Sequence, residues 1–370
     1  MAVQRFDIAI IGAGMAGASL AAELAPHARV LLVEAEDAPG YHTTGRSAAF
    51  WEEAYGGPGV YPLTAASGPF LKQHGFLTPR GALNIGREAD LAKVEAFVER
   101  FASLGARVDL VGRDVLAQRV PGLRPDWIYA AWEPDCADID VAGLHQHYLA
   151  ESRRTGSVLR VRARVERIER EGADWRLLWG EGDEQQALSP LLVNAAGAWA
   201  DHIATLAGAQ PIGVKPLRRT IAQVRTAPHP PADLPLTLGI NEDFYFKPQG
   251  DRLWLSPHDE TPDVARDVAA EELDVALAID RFTNVMDWQV EALERRWAGL
   301  RSFAPDRLPV YGFAPERPGF FWFAGQGGFG IQTAPAAARF SAQLLLGLPR
   351  DEMTAGLNAQ TYAPGRFNPA

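Results

Sequence analysis

Short apolar runs and stretches of helical periodicity alternate along the first half of the chain. Residues 7–11 and 30–33 are apolar apart from Asp7 and rich in Ile, Val and Leu, the pattern of strands buried on both faces. Residues 16–24 between them read as a helix of small and apolar side chains. Further on, Leu91, Val94, Phe97, Val98, Phe101 and Leu104 recur at i, i+3, i+4 spacing and predict a helix over 90–104 with one core-facing stripe. Helices are also predicted over 63–73, 140–152 with Asp140 as cap, 199–207 stopped at Gly208, 271–286 and 335–346. Residues 158–168 alternate apolar and charged, which predicts one half-buried strand. Strands are expected at 82–85, 175–179, 187–194 and 320–324. Those at 219–224, 236–248 and 253–255 cluster around a proline-rich loop and suggest a mostly antiparallel sheet, distinct from the parallel one.

Glycines punctuate the first strand–helix junction in G-x-G-x-x-G spacing, at Gly12, Gly14 and Gly17, and the second strand ends at Glu34. Gly12 allows the tight turn, Gly14 lets backbone approach a pyrophosphate, and Gly17 lets helix and sheet pack closely. The helix N-terminus offers free N–H groups to phosphates, and Glu34 is placed to accept hydrogen bonds from a ribose. FAD and NAD share this fingerprint, while a carboxylate in that place disfavours the 2′-phosphate of NADP. A second glycine-rich turn, 325–330, lies near the chain end between strand 320–324 and helix 335–346. Two such turns far apart suit a long cofactor such as FAD. The small residues Ala195, Ala196 and Gly197 after strand 187–194 suit close backbone approach to it.

Composition narrows the classes. The chain has 370 residues and suits two linked domains. A formal charge of −10 argues against nucleic acid or an anionic membrane as the main partner. The one cysteine, Cys136, cannot form an internal disulfide and reads as a small semi-buried side chain. A cytoplasmic location is the expectation, with loose membrane association left open, and no run is long enough for a transmembrane helix. His145 and His147 are two apart on a helix, so they do not share a face and do not make a metal site.

The fingerprint followed by GYHTTGRSAA (40–49) resembles the FAD-dependent D-amino-acid oxidase superfamily, and within it the bacterial D-arginine dehydrogenases. ADIDVAGLHQHYL (137–149), LLVNAAGAWAD (191–201), FYFKP (244–248), WAGLRSF (297–303) and GQGGFGIQT (325–333) are similar to the same branch, in the same order. The resemblance implies an α/β fold with an α+β substrate part. A Rossmann-like FAD-binding domain (1–80, 140–212, 305–370) would interleave with a substrate domain on a mostly antiparallel sheet (81–139, 213–304). It implies non-covalent FAD held by Gly12, Gly14, Ala16, Gly17, Glu34 and Ala35. It extends that set to Thr43, Thr44, Gly45, Arg46, Ser47, Ala48 and Ala49, to Val165 at the adenine, and to Ala196 and Gly197. Gly327, Gly328, Phe329, Gly330, Ile331 and Gln332 would stand beside the flavin. Ser47 to Ala49 are expected either to start a helix aimed at the ligand or to form an ordinary loop.

Oxidation of an α-amino acid requires a fixed carboxylate, a Cα–H aimed at the flavin and a deprotonated amine. A guanidinium matches a carboxylate bidentately. Arg301 and Arg219 fall where the family places this clamp, and Tyr245 and Tyr55 match tyrosines lining the site, with Gly328 on the flavin side. The family's guanidinium-binding carboxylate is replaced by Ala82, its histidine by Phe50 and a threonine by Glu52. With Leu236 and Leu238 these changes suggest a roomier, apolar pocket for neutral D-amino acids. An inward Glu52 would receive a cation or repel acids; an outward one would be a solvated charge. Three readings stand: hydride transfer from Cα to flavin with release of a 2-oxo acid and ammonia; oxidation of a secondary amine or 2-hydroxy acid; or a non-catalytic flavin-binding subunit. Oxygen and a quinone-like acceptor are both compatible with this sequence.

Overall fold

The computed structural model describes residues 3–180, 182 and 184–367. The apolar runs at the start build a six-stranded sheet, in the order Val158–Arg160, Val30–Val33, Ile8–Ile11, Leu191–Asn194, Phe320–Ala324 and Val310–Phe313. Its first five strands are parallel and the last is antiparallel. Helices Met15–Leu24, Val141–Arg154 and Ala334–Leu346 pack together on one face, in a core that includes Ile10, Leu20, Leu144 and Phe340. The other face meets helix Ala200–Ala207 and an antiparallel layer containing Val165–Glu171, Asp174–Trp179 and Gln185–Ser189. Burial on both faces explains why these strands are unbroken apolar runs.

A ten-stranded sheet forms the second layer. Its path runs Gln326–Gly327, Gln289–Phe303, Lys215–Ala227, Arg252–Ser256, Tyr245–Gln249, Leu236–Gly239, Ala82–Arg87, Trp127–Glu133 and Asp109–Gly112, with Thr261–Pro262 paired to the third of these. Every pairing is antiparallel except Ala82–Arg87 with Leu236–Gly239. The expected mostly antiparallel sheet is present. Strand alternation divides its residues between two faces. Ala222, Val224, Phe246, Leu255, Leu83 and Ile85 join a core with helix Glu272–Val285. Ile221, Tyr245, Leu236, Leu238 and Ala82 belong to a separate cluster on the other face.

Several local expectations are corrected. Residues 187–194 are not one strand: Gln185–Ser189 and Leu191–Asn194 belong to different sheets and are separated at Pro190. Residues 158–168 are two strands in different sheets, because the chain turns at 161–164, where Arg162 has φ of 52°. Residues 236–248 likewise split into Leu236–Gly239 and Tyr245–Gln249 around a turn. Of the two alternatives at Ser47 the loop is the one present: a short 3-10 turn, Thr44–Arg46, ends there, and Ser47 is extended. Strand Phe50–Trp51 then pairs with Ala137–Ile139, which keeps the segment extended. In helix Leu91–Ala102, Val94 and Phe101 are buried as the stripe predicts, whereas Leu104 lies beyond the helix end and is exposed. Among the described residues no helix is long and apolar enough to cross a membrane.

Candidate active site

The parallel strands end at an elongated cleft of about 620 Å³, lined by Ile11, Val33, Ala195 and Ala324 at their carboxyl ends. This is where open α/β sheets bind ligands. Gly12 makes the turn possible: its φ is 101°, and a Cβ there would lie 2.5 Å from the Ala195 carbonyl oxygen. Gly17 does not line the cleft; it packs beneath the turn, where a Cβ would meet the Gly12 carbonyl oxygen at 1.8 Å. Helix Met15–Leu24 has no side-chain cap at Gly14. Thr44 Oγ1 instead accepts the Met15 N–H at 2.9 Å and ties the second loop to the first. The Glu34 carboxylate accepts from Ala13 N (2.9 Å) and Glu36 N (3.0 Å) while still facing the cleft.

Most of the expected cofactor residues converge on this cleft. Gly12, Gly14, Ala16, Glu34 and Ala35 line it, as do Thr43, Thr44 and Ser47, then Val165, Ala196 and Gly197. Gly327, Gly328, Gly330 and Ile331 line its far end. Four others face the adjoining smaller cavity instead: Arg46, Ala48, Ala49 and Gln332. Arg46 also donates to the Val268 and Ala298 carbonyls and pairs with Asp267, so it braces a loop. Gly45 and Phe329 line neither space. Gly45 closes a turn onto the Gly40 carbonyl, and the Phe329 ring packs between Tyr55 and Phe303. The alternation over 158–168 concealed that Arg164 and Glu166 line the cleft, and no local signal marked Glu36 or Trp199.

The smaller cavity, about 70 Å³, is lined by Arg219, Arg301, Tyr55, Tyr245, Phe50, Ile221, His258, Gly328 and the turn residues beside them. Arg301 and Gly328 line both spaces and so mark their junction. Strand register explains the two arginines. Arg219 lies opposite Gly299 and Leu217 opposite Arg301, so both guanidiniums leave the same face of the sheet. Arg218 takes the opposite face, where Asp263, Glu271 and Asp274 surround it. Arg301 Nη1 donates to Tyr55 Oη at 2.8 Å, Nη2 donates to Glu260, and buried Nε has no partner. Arg219 Nε donates to the Asp259 carbonyl at 2.9 Å. Burial and the Arg301 charge lower its pKa, a sign that the two cations repel. Burial also raises the Tyr245 phenol, keeping it neutral. His258 is pushed down to about 3 by burial and by both guanidiniums, so its imidazole is uncharged. A Cβ on Gly328 would lie 2.6 Å from Tyr55 Oη and 2.8 Å from Arg301 Nη1, so these two groups approach as closely as they do because this residue is glycine.

The apolar wall differs from expectation. Ala82, Leu236 and Leu238 line neither space; they pack with Phe50, Cys136 and Tyr245 in the cluster behind it. Phe50 and Tyr55 stand 5.5 Å apart, centroid to centroid, and narrow the cavity, so it is not roomy. Glu52 points inward: it is 1% exposed, its Oε1 accepts from Asn84 Nδ2 at 3.3 Å, and Oε2 has no partner. It lines neither space. Burial pushes its carboxyl up to about 7, the Asn84 hydrogen bond opposing and Glu242 adding to the shift. Glu133, unmarked in the sequence, is equally buried; burial and then the Glu52 charge raise it, against hydrogen bonds from the Glu53 and Ala54 amides. Cys136 is buried and its thiol is pushed up by burial, as an inert cysteine would be. His145 bonds the Ala13 carbonyl, and no cluster suited to a metal occurs among the described residues.

The chain is 25% identical to the hydrogen cyanide synthase subunit HcnC of Pseudomonas aeruginosa, over 98% of this chain and 97% of that protein. Its fold is similar to that of glycine oxidase from Geobacillus kaustophilus, with a TM-score of 0.86 and 19% identity over 98% of this chain and 99% of that one. L-proline dehydrogenase from P. horikoshii gives a TM-score of 0.86 and 20% identity over 99% and 98% of the two chains. The family model described as DAO, FAD dependent oxidoreductase, matches residues 7–344, nearly the whole chain, and the chain belongs to that family.

Proposed function

We propose that this FAD-dependent oxidoreductase oxidises a neutral D-amino acid with a small apolar side chain to its 2-oxo acid and ammonia. The observation that carries the reading is the junction of the two spaces, where buried Arg301 and Arg219 and the Tyr55 hydroxyl converge beside an apolar wall. A carboxylate on this clamp forms charge-assisted hydrogen bonds with guanidiniums that are already held in place. Phe50, Ile221 and Ile331 leave room for a small side chain and offer a cation no partner. FAD bound in the cleft supplies a flavin ring that accepts hydride. In this reading Glu34 holds the ribose, the N-terminus of helix Met15–Leu24 the pyrophosphate, and 327–331 stand beside the flavin. In the small cavity burial holds the His258 imidazole well below neutrality and raises the Tyr245 phenol, so neither serves as a base and the substrate reacts as its free amine. The D configuration rests on the six ordered segments of the sequence resemblance.

The proposal keeps the division into a FAD part (1–80, 140–212, 305–370) and a substrate part (81–139, 213–304). Residues 1, 2, 181, 183 and 368–370 of the first lie outside the described residues. Turnover with an artificial electron acceptor, with the 2-oxo acid and ammonia quantified, tests the reaction. D-alanine and D-valine should yield both products and their L-forms neither; equal rates from both enantiomers refute the D assignment. The relatives named glycine oxidase and L-proline dehydrogenase make glycine and secondary amines the informative comparison substrates.

A further inference from the structure

Three arginines share one carboxylate beside the small cavity. Glu260 accepts hydrogen bonds from Arg301 and from Arg307 (2.8 Å), and lies 3.6 Å from Arg219 Nη2. It lines neither the cleft nor the small cavity, so it grips the guanidiniums from outside the space left for substrate. Its neighbour Asp259 accepts from Thr220 N (2.7 Å) and Oγ1 (2.9 Å) and lies 3.8 Å from Arg219 Nε. Burial alone would raise the Glu260 carboxyl. The Arg307 hydrogen bond and the charges of Arg301, Arg307 and Arg219 outweigh it and hold the group below its ordinary value. His258 is neutral and adds nothing.

Burial raises the Asp259 carboxyl, with the Thr220 hydrogen bonds and the Arg219 charge opposing. With Asp259 ionised, Arg219, Arg301 and Arg307 against Asp259 and Glu260 leave one positive charge. Uncompensated charge in a buried site is costly. One substrate carboxylate completes neutrality; a second leaves a buried negative charge without a partner. We infer that Glu260 is a specificity-determining residue, setting the charge of the clamp so that the site takes a single carboxylate and discriminates against dicarboxylates. The inference rests on the clamp reading given above, and it names a selection that the apolar wall does not make.

The test is equilibrium binding of two unreactive ligands, propionate and malonate, to the full-length holoenzyme, read from perturbation of the flavin absorbance. Wild type should bind propionate at least ten-fold more tightly than malonate. Glu260→Gln keeps a hydrogen-bond acceptor and loses the charge, so it should shift the ratio towards malonate by ten-fold or more, and Glu260→Asp should restore it. Arg307→Gln, at a half-exposed side chain, should weaken malonate more than propionate. This variant serves if the Glu260 variants do not fold. A ratio unchanged in Glu260→Gln, or in Arg307→Gln, overturns the inference while leaving the clamp intact. Failure of wild type to bind propionate at all overturns the clamp, and the inference with it.

Discussion

Replacing Glu52 by glutamine should make the protein more stable, by an amount that grows as pH rises from about 5 through neutrality and then levels off. Glu52 is 1% exposed and one of its carboxyl oxygens has no hydrogen-bond partner. Burial raises its folded-state pKa from 4.5 to about 7. Between those values the folded protein holds a proton that the unfolded chain has released, so stability falls as pH rises through this window. At about 1.4 kcal/mol for each tenfold change in proton affinity, the loss reaches about 3 kcal/mol by pH 8.5, against about 1 kcal/mol or less at pH 5. Glutamine has nearly the same shape and cannot ionise. An unfolding entropy of about 2.1 cal/mol/K per residue makes about 3 kcal/mol worth about 4 °C in Tm for a chain of this length. Thermal unfolding of FAD-saturated wild type and Glu52→Gln, followed by circular dichroism from pH 5 to 8.5, measures it. The two should nearly coincide at pH 5 and diverge by several degrees at pH 8.5. A constant offset across that range would show that Glu52 does not titrate in the fold.

Other outcomes follow from the site. Arg301→Lys keeps a charge but loses the planar fork; forfeiting one charged hydrogen bond, about 1.5–3 kcal/mol, should lower kcat/KM by about 10–100-fold in steady-state assays. A change under three-fold would remove Arg301 from the clamp. Gly12→Ala would press a Cβ to 2.5 Å from the Ala195 carbonyl oxygen at a φ of 101°, so the purified variant should lack flavin absorbance. Gly328→Ala would push against Tyr55 and Arg301 and should raise KM for a D-amino acid with flavin content unchanged. With kcat/KM followed against pH, the rise should track the substrate's own α-amine, and a plateau near neutrality would reveal a base on the protein.

Much of the scaffold was legible because it depends on local pattern. Three glycines, two apolar strands and Glu34 sit within one short stretch, and each does a local job. The pair Arg218–Arg219 was legible only in part: alternation says that the two face opposite ways, but only the sheet shows that Arg219 shares its face with Arg301. The turn at 161–164 was hidden because alternation continues through it, although the strands on either side join different sheets. Glu52 and Glu133 are far apart in sequence and meet through tertiary packing, which no spacing encodes. Phe50 matters for the same reason. Its ring separates the cavity from Ala82, Leu236 and Leu238, so substitutions that suggest a large pocket instead lie in the core behind it. Glu260 lies in a loop, where only its ion pairs with Arg219, Arg301 and Arg307 mark it.

The central claim is that this chain, with its flavin, is reduced directly by D-amino acids. Anaerobic titration of the purified holoenzyme, with flavin absorbance as the readout, tests it most directly. The substrates are small D- and L-amino acids, glycine, sarcosine, proline and 2-hydroxy acids, each offered separately. Bleaching by D-alanine or D-valine and not by their L-forms is the predicted result. Bleaching by secondary amines or hydroxy acids alone, or by none of these, would contradict it.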